Sequence, residues 1–114
     1  MSELNDTFSF QLTASGINHK REYPAIPGRR FRFDFFIPYG WGGRLLVELQ
    51  GGVYQYKPSH ASAGGIRRDA EKANLATLHG YKLLTFTSDM VESGEALRMV
   101  EKVIGGKNDT DRNK

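Results

Sequence analysis

A chain of 114 residues with 39% hydrophobic and 25% charged residues has the composition of one folded domain with a modest core, not of a disordered segment. It has no cysteine, which excludes disulfides and thiolate metal sites, and no apolar run approaches the roughly 20 residues of a membrane span. The net charge of +3 suits a polyanionic partner, and the cations gather at Lys20-Arg21, Arg29-Arg30-Arg32 and Arg67-Arg68.

Met1-Ser2-Glu3-Leu4-Asn5-Asp6 has no basic region leading into an apolar run, so no signal peptide is expected and a cytoplasmic protein is. Leu4, Phe8 and Leu12 recur at the spacing of one helical face and predict a helix over 4–15, ended by Gly16. Residues 19–24 read as a short strand stopping before Pro24, and Pro27-Gly28 as a turn. Arg32–Ile37 and Leu45–Gln50 alternate as two strands of a hairpin around the loop 38–44. If Ile37 pairs with Leu45, then Phe35 faces Val47 and Phe33 faces Leu49 on one apolar side. Asp34 and Glu48, with Arg32 and Gln50, then share the other side.

Gly51-Gly52 breaks the second strand, and 53–61 reads as a loop. A helix follows from Ser62 or Gly65 to His79, with Ile66, Ala70, Ala73 and Thr77 on one stripe, Leu78 beside it and Gly80 as C-cap. Residues 81–87 form a strand, Ser88 and Asp89 can cap the next turn, and Gly94 interrupts it before a helix carrying Leu97, Val100 and Ile104. A strand–helix–strand unit added to an antiparallel hairpin predicts an α/β fold, a mixed sheet flanked by helices. The expected organisation is a single domain over 1–104 and a disordered tail over 105–114.

Asp34 opposite Glu48 is the pairing with most chemical content. Like charges across strands are unfavourable unless neutralised. A divalent cation would do so, since hard cations prefer carboxylate and carbonyl oxygens, and so would Arg32 on a solvated face. Gln50 can hydrogen-bond a water or a phosphate, or be an amide satisfied by solvent. His60 can serve as a general base near neutral pH or be an exposed loop residue. Arg67, Arg68 and Lys72 can grip phosphate, or Lys72 can reach the metal site, or Arg68 and Lys72 can simply flank Asp69 and Glu71 on a solvated helix face. His19 and His79 have no acidic or nucleophilic neighbours in sequence and are expected to be structural. No G-x-G-x-x-G or G-x-x-x-x-G-K-[ST] pattern is present, which excludes a nucleotide-binding loop of those types.

Arg30-Phe31-Arg32-Phe33-Asp34-Phe35, then Val47-Glu48-Leu49-Gln50-Gly51-Gly52, Arg68-Asp69-Ala70-Glu71-Lys72-Ala73-Asn74 and Gly80-Tyr81-Lys82-Leu83-Leu84-Thr85-Phe86-Thr87 resemble the PD-(D/E)XK, or restriction-endonuclease-like, nucleases. The likeness spans residues 4–104. It is nearest to small phage and prophage nucleases akin to the VRR-type and very-short-patch repair enzymes. The resemblance implies that Asp34 and Glu48 ligate Mg²⁺ or Mn²⁺ with the Leu49 carbonyl as third ligand. Gln50 falls where the family's lysine usually stands, and Phe33 replaces the motif's proline. His60, like the loop histidine of the repair enzymes, and Lys72, as a lysine moved onto the helix, are the two substitutes for that lysine. Glu22 sits where some members carry an additional acid.

The function so implied is a Mg²⁺-dependent DNA endonuclease, structure-specific for branched DNA such as four-way junctions, and acting as a homodimer in the cytoplasm of a bacterial host. Arg30, Arg32, Lys57, Arg67 and Arg68 are the expected phosphate contacts. The alternatives are an inactive DNA-binding or assembly protein on the same scaffold and a metal-dependent RNase. Whether a phage or repair partner directs the activity is left open by the sequence.

Overall fold

The helix that opens the chain, α1 (Glu3–Ala14), turns Phe8 and Leu12 completely inward. Its end is a Schellman closure. Gly16, at φ +73°, donates to the Thr13 carbonyl at 3.0 Å, and Ile17 reaches back to Leu12 at 2.9 Å. The computed structural model describes residues 3–51 and 63–105 of the chain. The remaining elements are β1 (Lys20–Tyr23), β2 (Phe33–Tyr39), β3 (Gly43–Gln50), α2 (Ala63–Leu78), β4 (Lys82–Thr87), α3 (Ser88–Glu92) and α4 (Glu95–Ile104).

The four strands form one sheet in the order β1-β2-β3-β4, antiparallel across the first two pairs and parallel between β3 and β4. This is the α/β mixed sheet with a hairpin and one parallel crossover that the alternation and helical spacing predict. Phe35, Ile37, Leu45, Val47 and Phe86 line one face and pack against Phe8, Leu12, Val91, Ala96 and Val100 of α1, α3 and α4. The rings of Phe35 and Phe86 meet Phe8 edge-on, with centroids 5.4 and 6.0 Å away. Leu46, Phe36 and Leu83 line the other face beneath Ala76 and Leu75 of α2. Helices therefore cover both faces.

Two expectations are corrected. Ile37 pairs with Leu45 and Phe35 with Val47 as expected, but Phe33 joins the core beneath α2 instead of continuing the Phe35 face. In place of a Phe33–Leu49 pair, the Leu49 N–H is donated to Asp34 Oδ2 at 2.8 Å. A side chain has taken a ladder hydrogen bond, so the strict alternation of faces is lost at this point. On α2, Ala76 is buried with Leu75 half-buried, while Ile66 and Leu78 are exposed. Three- and four-residue spacing puts Lys72, Leu75 and Ala76 on one face, and the small Ala76 is what permits close approach to Leu46. Among the described residues, no helix is long and apolar enough to cross a membrane.

Candidate active site

Asp34 begins the part of β2 that separates from β3, and its half-buried carboxylate is aimed at the Leu49 main chain. Glu48 lies in the interior of β3 beside Thr85, its parallel-register partner on β4. The third group comes from α2. Lys72 Nζ lies 2.5 Å from Glu48 Oε2 and donates to the Arg32 carbonyl at 2.8 Å. The same ammonium sits 4.7 and 5.5 Å from the ring centroids of Phe33 and Phe31. The side chains of Lys72 and Glu48 retain only 17% and 22% of their exposure, so this is a largely desolvated ion pair and not a screened surface contact.

Burial pushes the Glu48 carboxyl up to about 7. The hydrogen bond from Lys72 opposes this and the negative charge of Asp34 reinforces it. Two carboxylates and one ammonium leave the cluster short of positive charge when both acids are ionised. That is the electrostatic condition of a cation site.

Glu48 and Lys72 line a cleft of about 530 Å³ between α2 and strands β3 and β4, with Phe33, Leu49, Gln50, Asp69 and Thr85 also on its walls. The donor set suits a hard cation: two carboxylates, a nearby backbone carbonyl at Leu49 and room for water. Among the described residues no three of His, Cys, Asp and Glu come together as a metal cluster; two carboxylates and a carbonyl would leave the rest of a hard cation's shell to water. Mg²⁺ tolerates that arrangement, whereas a structural Zn²⁺ site does not.

Of the residues expected from sequence, Glu48, Leu49, Gln50 and Lys72 share this cleft, and the hydrogen bond to Leu49 holds Asp34 at its edge. Glu22 is exposed in β1, between residues paired with Phe35 and Phe33, with φ of +52°, and it completes no metal cluster with Asp34 and Glu48. Arg32 contributes its carbonyl to Lys72, while its side chain is exposed. Arg30, Arg67 and Arg68 line a second cavity. Lys57 and His60 lie outside the described residues. His19 is engaged structurally: Nδ1 donates to the Ile17 carbonyl at 3.0 Å, which leaves Nε2 to accept from the Ser9 hydroxyl at 2.8 Å.

Thr85 and Asp69 are the cleft residues that sequence reasoning did not single out. Asp69 was legible only as a helix-face acid. Thr85 becomes a neighbour of Glu48 through the parallel register, which no local pattern encodes.

Compared with protein-family models, with curated proteins and with solved structures, the chain matches none of them. The functional reading therefore stands on the geometry and chemistry of the cleft.

Proposed function

We propose that this protein is a Mg²⁺- or Mn²⁺-dependent DNA endonuclease of the PD-(D/E)XK type, with Asp34 and Glu48 as its metal-holding acids. The observation that carries the reading is the convergence of Lys72 on Glu48, at 2.5 Å, in an open cleft beside Asp34. A motif lysine is absent from the strand, where Gln50 stands, and an ammonium arrives at the same acid from the helix instead.

In this mechanism Asp34, Glu48 and the Leu49 carbonyl would hold the cation, which would supply Lewis-acid polarisation of the scissile phosphate and a more acidic water. Lys72, anchored by the Arg32 carbonyl, keeps a positive charge beside Glu48 and hydrogen-bonds the attacking water or a phosphate oxygen. Gln50 on the cleft rim orients the same water by accepting or donating a hydrogen bond. His60 is the candidate base for its proton. Arg32 and Lys57 hold the flanking phosphates. A homodimer in the cytoplasm would bring two such sites to a branched substrate for paired incisions.

The test is incubation of four-way junction, flap and linear duplex DNA with Mg²⁺, alongside equivalent RNA. Cleavage of DNA that disappears in Asp34→Ala and Glu48→Ala supports the proposal. Equal cleavage by wild type and variants, or none on any substrate, overturns it. A second reading, a non-catalytic DNA-binding protein, draws on the same ion pair, because Lys72 already neutralises Glu48 without a metal. Calorimetric titration with Mn²⁺ separates the two: heat that is lost in Glu48→Gln belongs to the nuclease, and DNA binding without metal heat belongs to the binding protein.

A further inference from the structure

A second cavity, of about 540 Å³, lies between the segment preceding β2 and the first turns of α2. We infer that it is a phosphate site for the substrate strand, separate from the cleft that holds the acids. The inference rests on the nuclease reading, and the experiment below separates its failure from that of the reading. The walls carry Arg29, Arg30, Arg67 and Arg68 against a single acid, Glu71. That acid is already taken, because Arg29 pairs with Glu71 Oε2 at 2.7 Å and rests 5.0 Å above the ring of Phe31. Arg29 thus ties the loop to the helix. Among the described residues, Arg30, Arg67 and Arg68 pair with no carboxylate.

Guanidinium groups gathered in one cavity repel one another unless an anion joins them. Phosphate is the anion whose geometry matches the planar, bidentate fork of arginine. Two contacts tie the loop to α2: the Arg29–Glu71 pair and the hydrogen bond from Lys72 to the Arg32 carbonyl.

Helix geometry relates this cavity to the cleft. Arg67, Arg68 and Glu71 form one stripe of α2, while Asp69, Lys72 and Ala73 form the neighbouring stripe that faces the acids. Arg68 and Lys72 are one turn apart, about 6 Å along the axis. Successive phosphates of a duplex strand advance about 3.4 Å along its axis. The cavity and the cleft thus adjoin along α2, and the anion in the cavity is a phosphate of the same strand near the bond that is cut. Two sources present that chemistry, an internal phosphodiester and a terminal phosphate monoester.

The experiment is anisotropy of labelled oligonucleotides on the full chain in EDTA, so that cleavage and metal binding play no part. Wild type is compared with Arg67→Ala, Arg68→Ala and Arg30→Ala, and with Lys102→Ala on α4 as a control for general basic charge; thermal melts confirm that each folds. Each arginine variant is expected to bind about tenfold more weakly, with the slope of log K against log salt shallower by about one. If adding a terminal phosphate strengthens wild type but not the variants, the source is a strand end. If a single internal methylphosphonate weakens wild type to the level of the variants, the source is the backbone. Arginine variants that keep wild-type affinity and slope, or a Lys102→Ala variant that loses as much as they do, overturn the inference. DNA cleavage in Mg²⁺ is read separately: intact cleavage with unaffected arginine variants removes this site alone, and phosphate-dependent binding without cleavage removes the nuclease reading alone.

Discussion

The Asp34 carboxylate accepts the Leu49 N–H at 2.8 Å, and this one bond locks the first acid to the strand that carries the second. Asp34→Asn preserves an oxygen acceptor and removes the charge, whereas Asp34→Ala removes both. Asparagine is expected to leave stability near wild type while abolishing Mg²⁺-dependent cleavage. Alanine is expected to cost about 1–2 kcal/mol in addition, because a half-buried main-chain donor loses its partner. Urea unfolding and a cleavage assay on both variants check this.

Glu48 titrates at about 7 in the folded chain against 4.5 as its ordinary value, so folding takes up a proton between those limits. Its stabilising contribution is complete below pH 4.5 and is lost as pH rises through 7. The melting temperature of wild type should fall over this window and that of Glu48→Gln should stay flatter. Between pH 4.5 and pH 8 the stability of wild type should fall by about 3 kcal/mol relative to the variant. Added Mg²⁺ should stabilise wild type at pH 8, where Glu48 is ionised, far more than at pH 5.5. A melt that is independent of pH and of Mg²⁺ would contradict the assignment.

Lys72→Met keeps the aliphatic stem over Phe33 and deletes the ammonium. Cleavage is expected to drop about 10²–10³-fold, the scale for losing one preorganised charged donor. Stability should change by no more than about 1–2 kcal/mol, since Glu48 can protonate instead of remaining an unpaired charge. Lys72→Arg should not restore activity, because the planar guanidinium cannot reproduce one ammonium bonded to both Glu48 and the Arg32 carbonyl.

Ala76 is fully buried on the inner face of α2, next to Leu46 and Phe33. Ala76→Leu should cost about 1–3 kcal/mol by overpacking. Because α2 also carries Lys72, the same substitution should lift the ammonium from Glu48 and reduce turnover beyond what the stability loss explains. Cleavage measured well below the melting temperature distinguishes the two effects.

The periodicities of Leu4-Phe8-Leu12 and of the hairpin strands place α1, β2 and β3 within a few residues, since each is set by burial of hydrophobic side chains. Phe33 was misplaced because its side depends on Asp34 capturing a main-chain hydrogen bond, an event that hydrophobic spacing does not register. The inward face of α2 was misread for a related reason. Its apolar content is small, and Lys72, counted as a polar surface residue, spends its stem on Phe31 and Phe33. The acids of the candidate site were legible as a cross-strand pair. Their counter-charge was legible only as one of two substitutes, because the contact between Lys72 and Glu48 spans 24 residues.

The parallel pairing of β3 with β4 also sets an order of events. The β2–β3 hairpin can close locally and early, while the β3–β4 pairing joins residues about 37 apart in sequence and forms later. Until α2 settles on the sheet, Asp34 and Glu48 face each other without their ammonium. A nascent or half-folded chain thus carries the acids without Lys72 beside Glu48, and the proposed hydrolysis would wait for α2 and β4 to be in place.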